Sequence, residues 1–220
     1  MLKDIKLGFK LLKYGYKLKL NVIMLVFFAI FGIASEIFSK GTSIIGGVYF
    51  MMSGMFTFQL IMSMDVSELI QSTSLKKKLQ IYIPVLASTV INLILFTIFV
   101  VERVVLIQMG VADKTQIIYT LFMLDVILLI TYLYTSICYK YFVLGFILFM
   151  VMFMAAFMAL DNSAFMGFAD TIAALGLPVI ALFGYIAIFV GGALEILIGE
   201  LLYKKPLSVF AFRGFFRDAK

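Results

Sequence analysis

Residues 115–138 read TQIIYTLFMLDVILLITYLYTSIC, a long apolar run interrupted by one charged side chain, Asp125. A helix needs roughly 20 apolar residues to cross a hydrocarbon layer about 30 Å thick. Five further apolar runs of comparable length flank this one within 220 residues. They span residues 20–38, 42–64, 81–101, 141–160 and 175–198. The sequence therefore predicts an all-α, polytopic membrane protein with six transmembrane helices in one domain, residues 1–220.

The composition supports this class and excludes several kinds of activity. Hydrophobic residues make up 64% of the chain and charged residues 14%, whereas a soluble domain of this size keeps a larger polar share. Histidine is absent and Cys138 is the only cysteine, so no His-dependent peptidase, His-ligated zinc or internal disulfide is predicted. The nucleotide-binding pattern G-x-x-x-x-G-K-[ST] is also absent. We therefore expect a non-catalytic membrane subunit without a cofactor of its own.

The basic residues predict the orientation of the chain. If alternate loops are assigned to opposite sides, one side receives 15 of the 18 lysines and arginines. Cytoplasmic loops carry such an excess, so both termini are predicted to be cytoplasmic in a multi-pass protein of the plasma membrane. The same bias explains the net charge of +6, and no nucleic-acid partner is expected.

Residues 1–19 have the pattern of an amphipathic helix at the membrane surface. Leu2, Ile5 and Phe9 begin an apolar face at steps of three and four, and lysines recur beside it at the same spacing. Such a helix lies in the interface plane with its ammonium groups at lipid phosphates. Two interpretations remain open: a simple topology anchor, or a helix that also contacts a cytoplasmic partner.

The cytoplasmic loop 65–78 is predicted to contain a short helix. An acidic residue opens it, with a second acid three positions later, as in a capping box. The apolar residues that follow fit a groove on another protein, although a helix lying on the lipid surface explains them equally well. The residues concerned are Asp65, Glu68, Leu69, Ile70, Leu75, Lys76 and Lys77.

This arrangement resembles an ABC-2 type permease, the membrane subunit of type V ATP-binding-cassette exporters. The resemblance rests on the amphipathic N-terminal helix, the six runs and the stretch from Ser67-Glu68-Leu69-Ile70 to Ser74-Leu75-Lys76-Lys77. It implies that loop 65–78 is a coupling helix on a cytosolic ABC ATPase, which binds ATP and Mg. It also implies two permease copies, either a homodimer or a pair with a paralogous permease.

The segment 161–174 is predicted to lie on the outer side before the last crossing. It is too apolar for a free loop and too short to span. Its position is similar to that of the re-entrant helices of ABC-2 permeases, which implies a re-entrant hairpin here. Asp161 and Asp170 would cap its two halves and Gly167 would form the turn. The alternative is a water-exposed loop with scattered apolar residues.

Asp125 is the one carboxylate predicted near the middle of the bilayer. An ionisable group at that depth is costly and marks a candidate functional site. We consider two roles: contact with a substrate or proton, or a protonated packing residue that is hydrogen-bonded to a neighbour. Candidate neighbours are Tyr119, Thr131 and Tyr132.

These features favour a permease subunit that exports an amphipathic substrate by alternating access. The small size resembles the permeases of Gram-positive peptide-toxin exporters that secrete phenol-soluble modulins, so a peptide is the expected substrate, with a lipid-like compound as second choice. One alternative is the substrate-binding membrane subunit of a vitamin importer. Others are a peptide-binding immunity or assembly protein without ATP coupling, and an intramembrane enzyme using Asp125, Asp161 or Asp170.

Overall fold

The computed structural model describes residues 6, 10, 18–52, 77–138, 140–161 and 166–205, and these are helical apart from short turns. No strand is found within these ranges. The protein is therefore all-α, as predicted. The helices are α1 (Leu18–Ser39), α2 (described over residues 44–52), α3 (Ile83–Met109, entered through the π-helical turn Lys78–Tyr82), α4 (Lys114–Cys138), α5 (Phe142–Asp161), α6 (Met166–Leu175) and α7 (Leu177–Leu202).

Local sequence signals account for the helix ends. Gly110 adopts a left-handed conformation with φ of 63° and ends α3, donating its N–H to carbonyls of the last turn. Glycine tolerates this conformation because it has no Cβ. The Asp113 carboxylate then accepts a hydrogen bond from the backbone N–H of Thr115 at 3.3 Å, which caps α4. Gly176, with φ of 83°, separates α6 from α7.

Helix α4 lies at the centre of the bundle and runs parallel to α7. Its side chains are the most enclosed of the described helices, and it packs against α3, α5, α6 and α7. Asp125 of α4 lies against Gly184 of α7. About three turns further along each helix, Thr135 hydrogen-bonds to Glu195. Residue numbers rise together along the two helices, so they point in the same direction.

Helix α3 runs antiparallel to this central pair. Near its start, Tyr82 donates a hydrogen bond to Glu200 at the end of α7. Further along, Thr97 lies within 3.0 Å of the Tyr185 hydroxyl near the start of α7. The sequence positions therefore run in opposite directions, and the two helices meet along most of their length.

Helices α1 and α2 form a tight antiparallel hairpin. A Cβ added to Gly32 would lie 2.6 Å from the backbone nitrogen of Phe50, so the two backbones approach closely, as small residues allow in membrane helices. Phe28 stacks on Tyr49 with ring centroids 5.5 Å apart. The opposite side of α1 exposes Ile23, Phe27, Ile30, Ile33 and Phe38.

Four of the described helices are long and apolar enough to cross a membrane: Val22–Ser39, Lys78–Met109, Lys114–Cys138 and Leu177–Leu202. Residues Val143–Met152 of α5 form a shorter apolar stretch. This pattern indicates a membrane protein. The prediction of six transmembrane helices stays a prediction, because more than half of the predicted second crossing lies outside the described residues.

The structure corrects the details predicted for segment 161–174. Gly167 is the second residue of α6 and Asp170 is an exposed residue in its middle, while Asp161 ends α5. The predicted turn at Gly167 and the predicted cap at Asp170 are therefore wrong. Ala169 and Ile172 are buried and α6 packs on α4; entry of this helix into the membrane stays a prediction.

Candidate functional site

A cavity of about 30 Å³ lies in the interior of the bundle, where polar and apolar side chains meet. Buried water needs roughly 10–15 Å³ per molecule, so this cavity has room for one or two water molecules or ions of similar size. Its polar residues are Ser88 and Asn92 of α3, Thr131, Tyr132 and Thr135 of α4, and Glu195 of α7. Its apolar wall is formed by Val48, Met51, Met52, Leu124, Ile127, Leu128 and Phe149.

Two interhelical hydrogen bonds organise the polar wall of the cavity. The Asn92 amide nitrogen donates to the Tyr132 hydroxyl at 2.9 Å and joins α3 to α4. The Thr135 hydroxyl donates to Glu195 Oε1 at 2.8 Å and joins α4 to α7. Glu195 is only 3% exposed, and its second oxygen, Oε2, has no hydrogen-bond partner.

Glu195 was not selected from the sequence, because its position near the end of the last apolar run suggested a solvated boundary charge. A signal was nevertheless present. Glu195 lies three and four positions after Gly192 and Gly191, and residues at this spacing share a helix face. Since those glycines face α4 and α3, the carboxylate had to point into the bundle.

Asp125 is buried as predicted, with 4% of its surface exposed. Both of its carboxylate oxygens lack a hydrogen-bond partner. None of the three expected neighbours, Tyr119, Thr131 and Tyr132, is therefore hydrogen-bonded to it. Thr131 donates to the Ile127 carbonyl at 2.9 Å instead, and Tyr132 accepts a hydrogen bond from Asn92. Asp125 instead faces Gly184, which leaves room for its carboxylate.

A buried ion pair lies at the opposite end of the bundle from Glu195. Arg103 is 0% exposed and its Nη2 donates to Glu36 Oε2 at 2.7 Å. The guanidinium also donates to the Gly41 carbonyl, and its central carbon lies 4.3 Å from the centroid of the Phe99 ring. These charges lie near the ends of apolar runs and were not selected from the sequence, yet they connect α1, the α1–α2 turn and α3.

Of the seven residues named for the predicted coupling segment, the structure describes Lys77. Its ammonium lies 2.9 Å from the Glu200 carboxylate, and Glu200 also accepts the hydrogen bond from Tyr82. The hydrogen bond to Glu200 raises the pKa of Lys77 above its ordinary value. This contact joins the end of loop 65–78 to the end of α7.

The remaining residues assigned to the coupling segment lie outside the described part of the chain. These are Asp65, Glu68, Leu69, Ile70, Leu75 and Lys76. Nearly all of the predicted interfacial helix 1–19 does so as well, although Leu18 and Lys19 already belong to α1. Their roles stay predictions.

The chemistry available in the described residues is that of a polar, acidic interior without a metal cluster. No group of three His, Cys, Asp or Glu side chains able to hold a metal ion occurs within the described ranges. Outside the Glu36–Arg103 ion pair, the described bundle offers two buried carboxylates, Asp125 and Glu195, and a hydroxyl-lined cavity beside Glu195. No protein-family model, no curated protein and no solved structure matches this chain.

Proposed function

We propose that this chain is the membrane permease subunit of an ATP-driven exporter of the ABC-2 type, with an amphipathic peptide as substrate. The observation that carries the transport proposal is the acidic interior of an apolar bundle, at Asp125 and Glu195. Burying such groups among membrane helices is costly, and they mark pathways for substrates or ions. A protein that only anchored a partner would gain nothing from them.

The helix directions support six crossings. Because α4 and α7 are parallel, the chain must return to the starting side between Cys138 and Leu177. Helix α5 is 20 residues long, which corresponds to about 30 Å of helix, enough for that return. The ends of α1 and α3 also lie together, at the Glu36–Arg103 ion pair, so both helices run toward the same end of the bundle and the chain must return between them as well. Two such returns would give six crossings and both termini on one side.

The charges at the two ends support a cytoplasmic location for the termini. Lysines of the described residues gather where α3 begins and where α4 and α7 end. The lysines at this end are Lys77, Lys78, Lys140, Lys204 and Lys205. The other end carries Lys40 and Lys114, with Arg103 buried in its ion pair. The lysine-rich end is the cytoplasmic end in our proposal.

The contact between Lys77 and Glu200 supports a mechanical role for loop 65–78. A movement of this loop, driven by a partner ATPase, would act directly on the end of α7 through that ion pair and the Tyr82 hydrogen bond. Helix α7 packs along α4, so the displacement would reach the polar interior. Alternating access then consists of shifts of α7 and α3 against α4.

The size of the cavity favours a substrate path between two copies of the chain. Pockets for drug-sized ligands measure roughly 300–1,000 Å³, whereas this cavity measures about 30 Å³. A vitamin bound inside one copy is therefore not favoured by the described bundle. A homodimer, or a pair with a paralogous permease, would provide a longer surface. Flexible, exposed methionines such as Met154 and Met158 of α5 suit a substrate of variable shape.

Co-purification tests the proposal. The tagged protein is extracted from its native cells in a mild detergent, and soluble nucleotide-binding proteins that accompany it are identified by mass spectrometry. We expect an ABC ATPase with the wild-type chain and its loss with Glu68→Arg, because charge reversal in a docking helix repels the partner. Lys114→Glu, a charge reversal of equal size at the opposite end, is the matched control and should retain the ATPase.

Two outcomes would contradict the exporter proposal. One is the absence of any ATPase from wild-type preparations that retain the permease copies. The other is equal ATPase recovery with Glu68→Arg and Lys114→Glu combined with unchanged ATP-dependent export. In either case a peptide-binding immunity or assembly protein becomes the better explanation of the same bundle.

A further inference from the structure

Two hydroxyls in the polar wall of the interior cavity, those of Ser88 and Thr131, present oxygen lone pairs, since their own hydrogens are already used. The Ser88 hydroxyl donates to the Val85 carbonyl at 3.1 Å, and the Thr131 hydroxyl donates to the Ile127 carbonyl at 2.9 Å. A hydroxyl has one hydrogen and two acceptor lone pairs. Both side chains therefore keep only acceptor capacity for a guest in the cavity.

The two interhelical hydrogen bonds leave the same kind of atom free. The Asn92 amide nitrogen donates to Tyr132, which leaves the amide oxygen as an acceptor. Thr135 occupies Glu195 Oε1, and Glu195 Oε2 is buried without a partner. The described residues that line the cavity include no lysine or arginine, so nothing basic in this wall balances the carboxylate.

These observations define what fits the cavity. A guest must be small, because the volume is about 30 Å³, and it must be positively charged or a strong donor, because the surrounding oxygens are acceptors. A single carboxylate matches a single positive charge. Ca²⁺ sites usually contain several carboxylates, and Mg²⁺ sites usually keep several water molecules as ligands. Soft metals are unsuited to a set of oxygen ligands without cysteine or histidine.

We propose that the cavity is a binding site for a small monovalent cation such as Na⁺, with Glu195 Oε2 as its charged ligand. Asn92, Ser88 and Thr131 supply neutral oxygens from α3 and α4. The cation would join the three helices α3, α4 and α7. This inference does not rest on the exporter proposal, because the site lies within one chain and requires no ATPase.

Direct binding of sodium to the purified full-length chain tests the proposal. The protein is placed in nanodiscs of phosphatidylcholine, and binding of radioactive Na⁺ is measured with choline as the inert counterpart. We expect saturable binding of about one Na⁺ per chain. Glu195→Gln removes the charged ligand with little change in shape and should weaken binding about tenfold or more, since even outer partners of a metal site contribute that much.

Two further variants make the test specific. Ser88→Ala should weaken Na⁺ binding by several fold. The Ser88 hydroxyl is otherwise bonded only within its own helix, so this variant should fold. It therefore keeps the test decisive if Glu195→Gln does not fold. Glu102→Gln is the matched control. It makes the same substitution at a partly exposed site beside Arg103 in α3, away from the cavity lining. This variant should bind Na⁺ like the wild type.

The proposal is overturned if wild-type protein shows no saturable Na⁺ binding above the choline background. It is also overturned if folded Ser88→Ala and Glu195→Gln both bind Na⁺ as the wild type does. In the first case a proton on Glu195, together with water in the cavity, accounts for the same geometry. In the second case the cation lies elsewhere in the chain.

Discussion

Arg103 and Glu36 form the most enclosed ion pair of the described residues. The guanidinium is 0% exposed and its Nη2 lies 2.7 Å from the Glu36 carboxylate. Desolvation of two charges offsets much of their attraction, but removal of one partner leaves the other buried and uncompensated. The intact pair therefore adds little to the free energy of unfolding, whereas removal of one partner should lower that free energy strongly.

We expect Arg103→Leu to destabilise the folded bundle by about 3–5 kcal/mol, because Glu36 would remain buried without its cation. The measurement is the free energy of unfolding in mixed micelles, by titration with a denaturing detergent. The double variant Glu36→Leu/Arg103→Leu should recover most of that loss, since it removes both charges.

Lys114→Leu is the control for this prediction, because Lys114 is an exposed basic residue at the same end of the bundle. It should change the unfolding free energy by less than about 0.5 kcal/mol. An Arg103→Leu protein as stable as the wild type would show that water or lipid headgroups neutralise Glu36.

Sequence reasoning identified Asp125 as a buried carboxylate but missed Glu195 and Arg103. Asp125 lies in the middle of an apolar run, where distance from both ends implies burial. Glu195 and Arg103 lie near the ends of their runs, where burial depends on which side of the helix meets a neighbour. That information comes from packing between α3, α4 and α7 rather than from depth in the membrane.

The close contact between α4 and α7 depends on small residues along one face of α7. A Cβ added at Gly191 would lie 2.6 Å from Tyr132 Cδ2, and one added at Gly184 would meet the Asp125 carboxylate. Glycines recurring at steps of seven or eight return to one side of a helix. This face lets Tyr132 approach α7 while its hydroxyl remains bonded to Asn92.

We expect Gly191→Val to destabilise the bundle by about 1–3 kcal/mol, the usual cost of overpacking a filled interior. The effect is measured by heating the protein in detergent and monitoring the loss of monodisperse protein with temperature. Ala193→Val adds the same kind of bulk two residues away on an exposed part of α7, and should be close to neutral. Equal stability of the two variants would contradict the close packing of α4 on α7.

The apolar runs predicted most of the long helices, because length and hydropathy are properties of consecutive residues. The prediction failed in segment 161–174, where Gly167 was read as a turn. Glycine keeps its backbone N–H and costs a helix only about 0.5–1 kcal/mol of conformational entropy relative to alanine, so a single glycine does not break a helix that packs well. The apolar spacing of Ala169 and Ile172, both buried, was the stronger signal for a helix.

The bundle as a whole has one lysine-rich end, and this predicts which positions face the cytoplasm. In a chain whose Cys138 is replaced by serine, we expect Lys114→Cys to react with a membrane-impermeant thiol reagent in intact cells. Lys205→Cys should react only after the membrane is opened. Both positions are exposed in the structure, so differences in reactivity report the side of the membrane.

Labelling of Lys205→Cys in intact cells would contradict the proposed orientation. Labelling of both positions in intact cells would contradict an uninterrupted α4 crossing, because this helix connects the two ends. The sequence predicted the orientation from lysine counts, but it could not show that α4 and α7 are parallel partners, since that depends on contacts between residues about 60 positions apart.

The parallel pairing of α4 with α7 has a consequence for the order of events during synthesis. Thr135 and Tyr132 reach the membrane before their partners on α7, Glu195 and Gly191, have been translated. Translation proceeds at roughly 5–20 residues per second. The polar side chains of α4 are therefore without their partners on α7 for about 3–12 seconds. During that interval the nascent chain depends on the insertion machinery, and a ribosome that stalls before α7 leaves an intermediate suited to quality-control recognition.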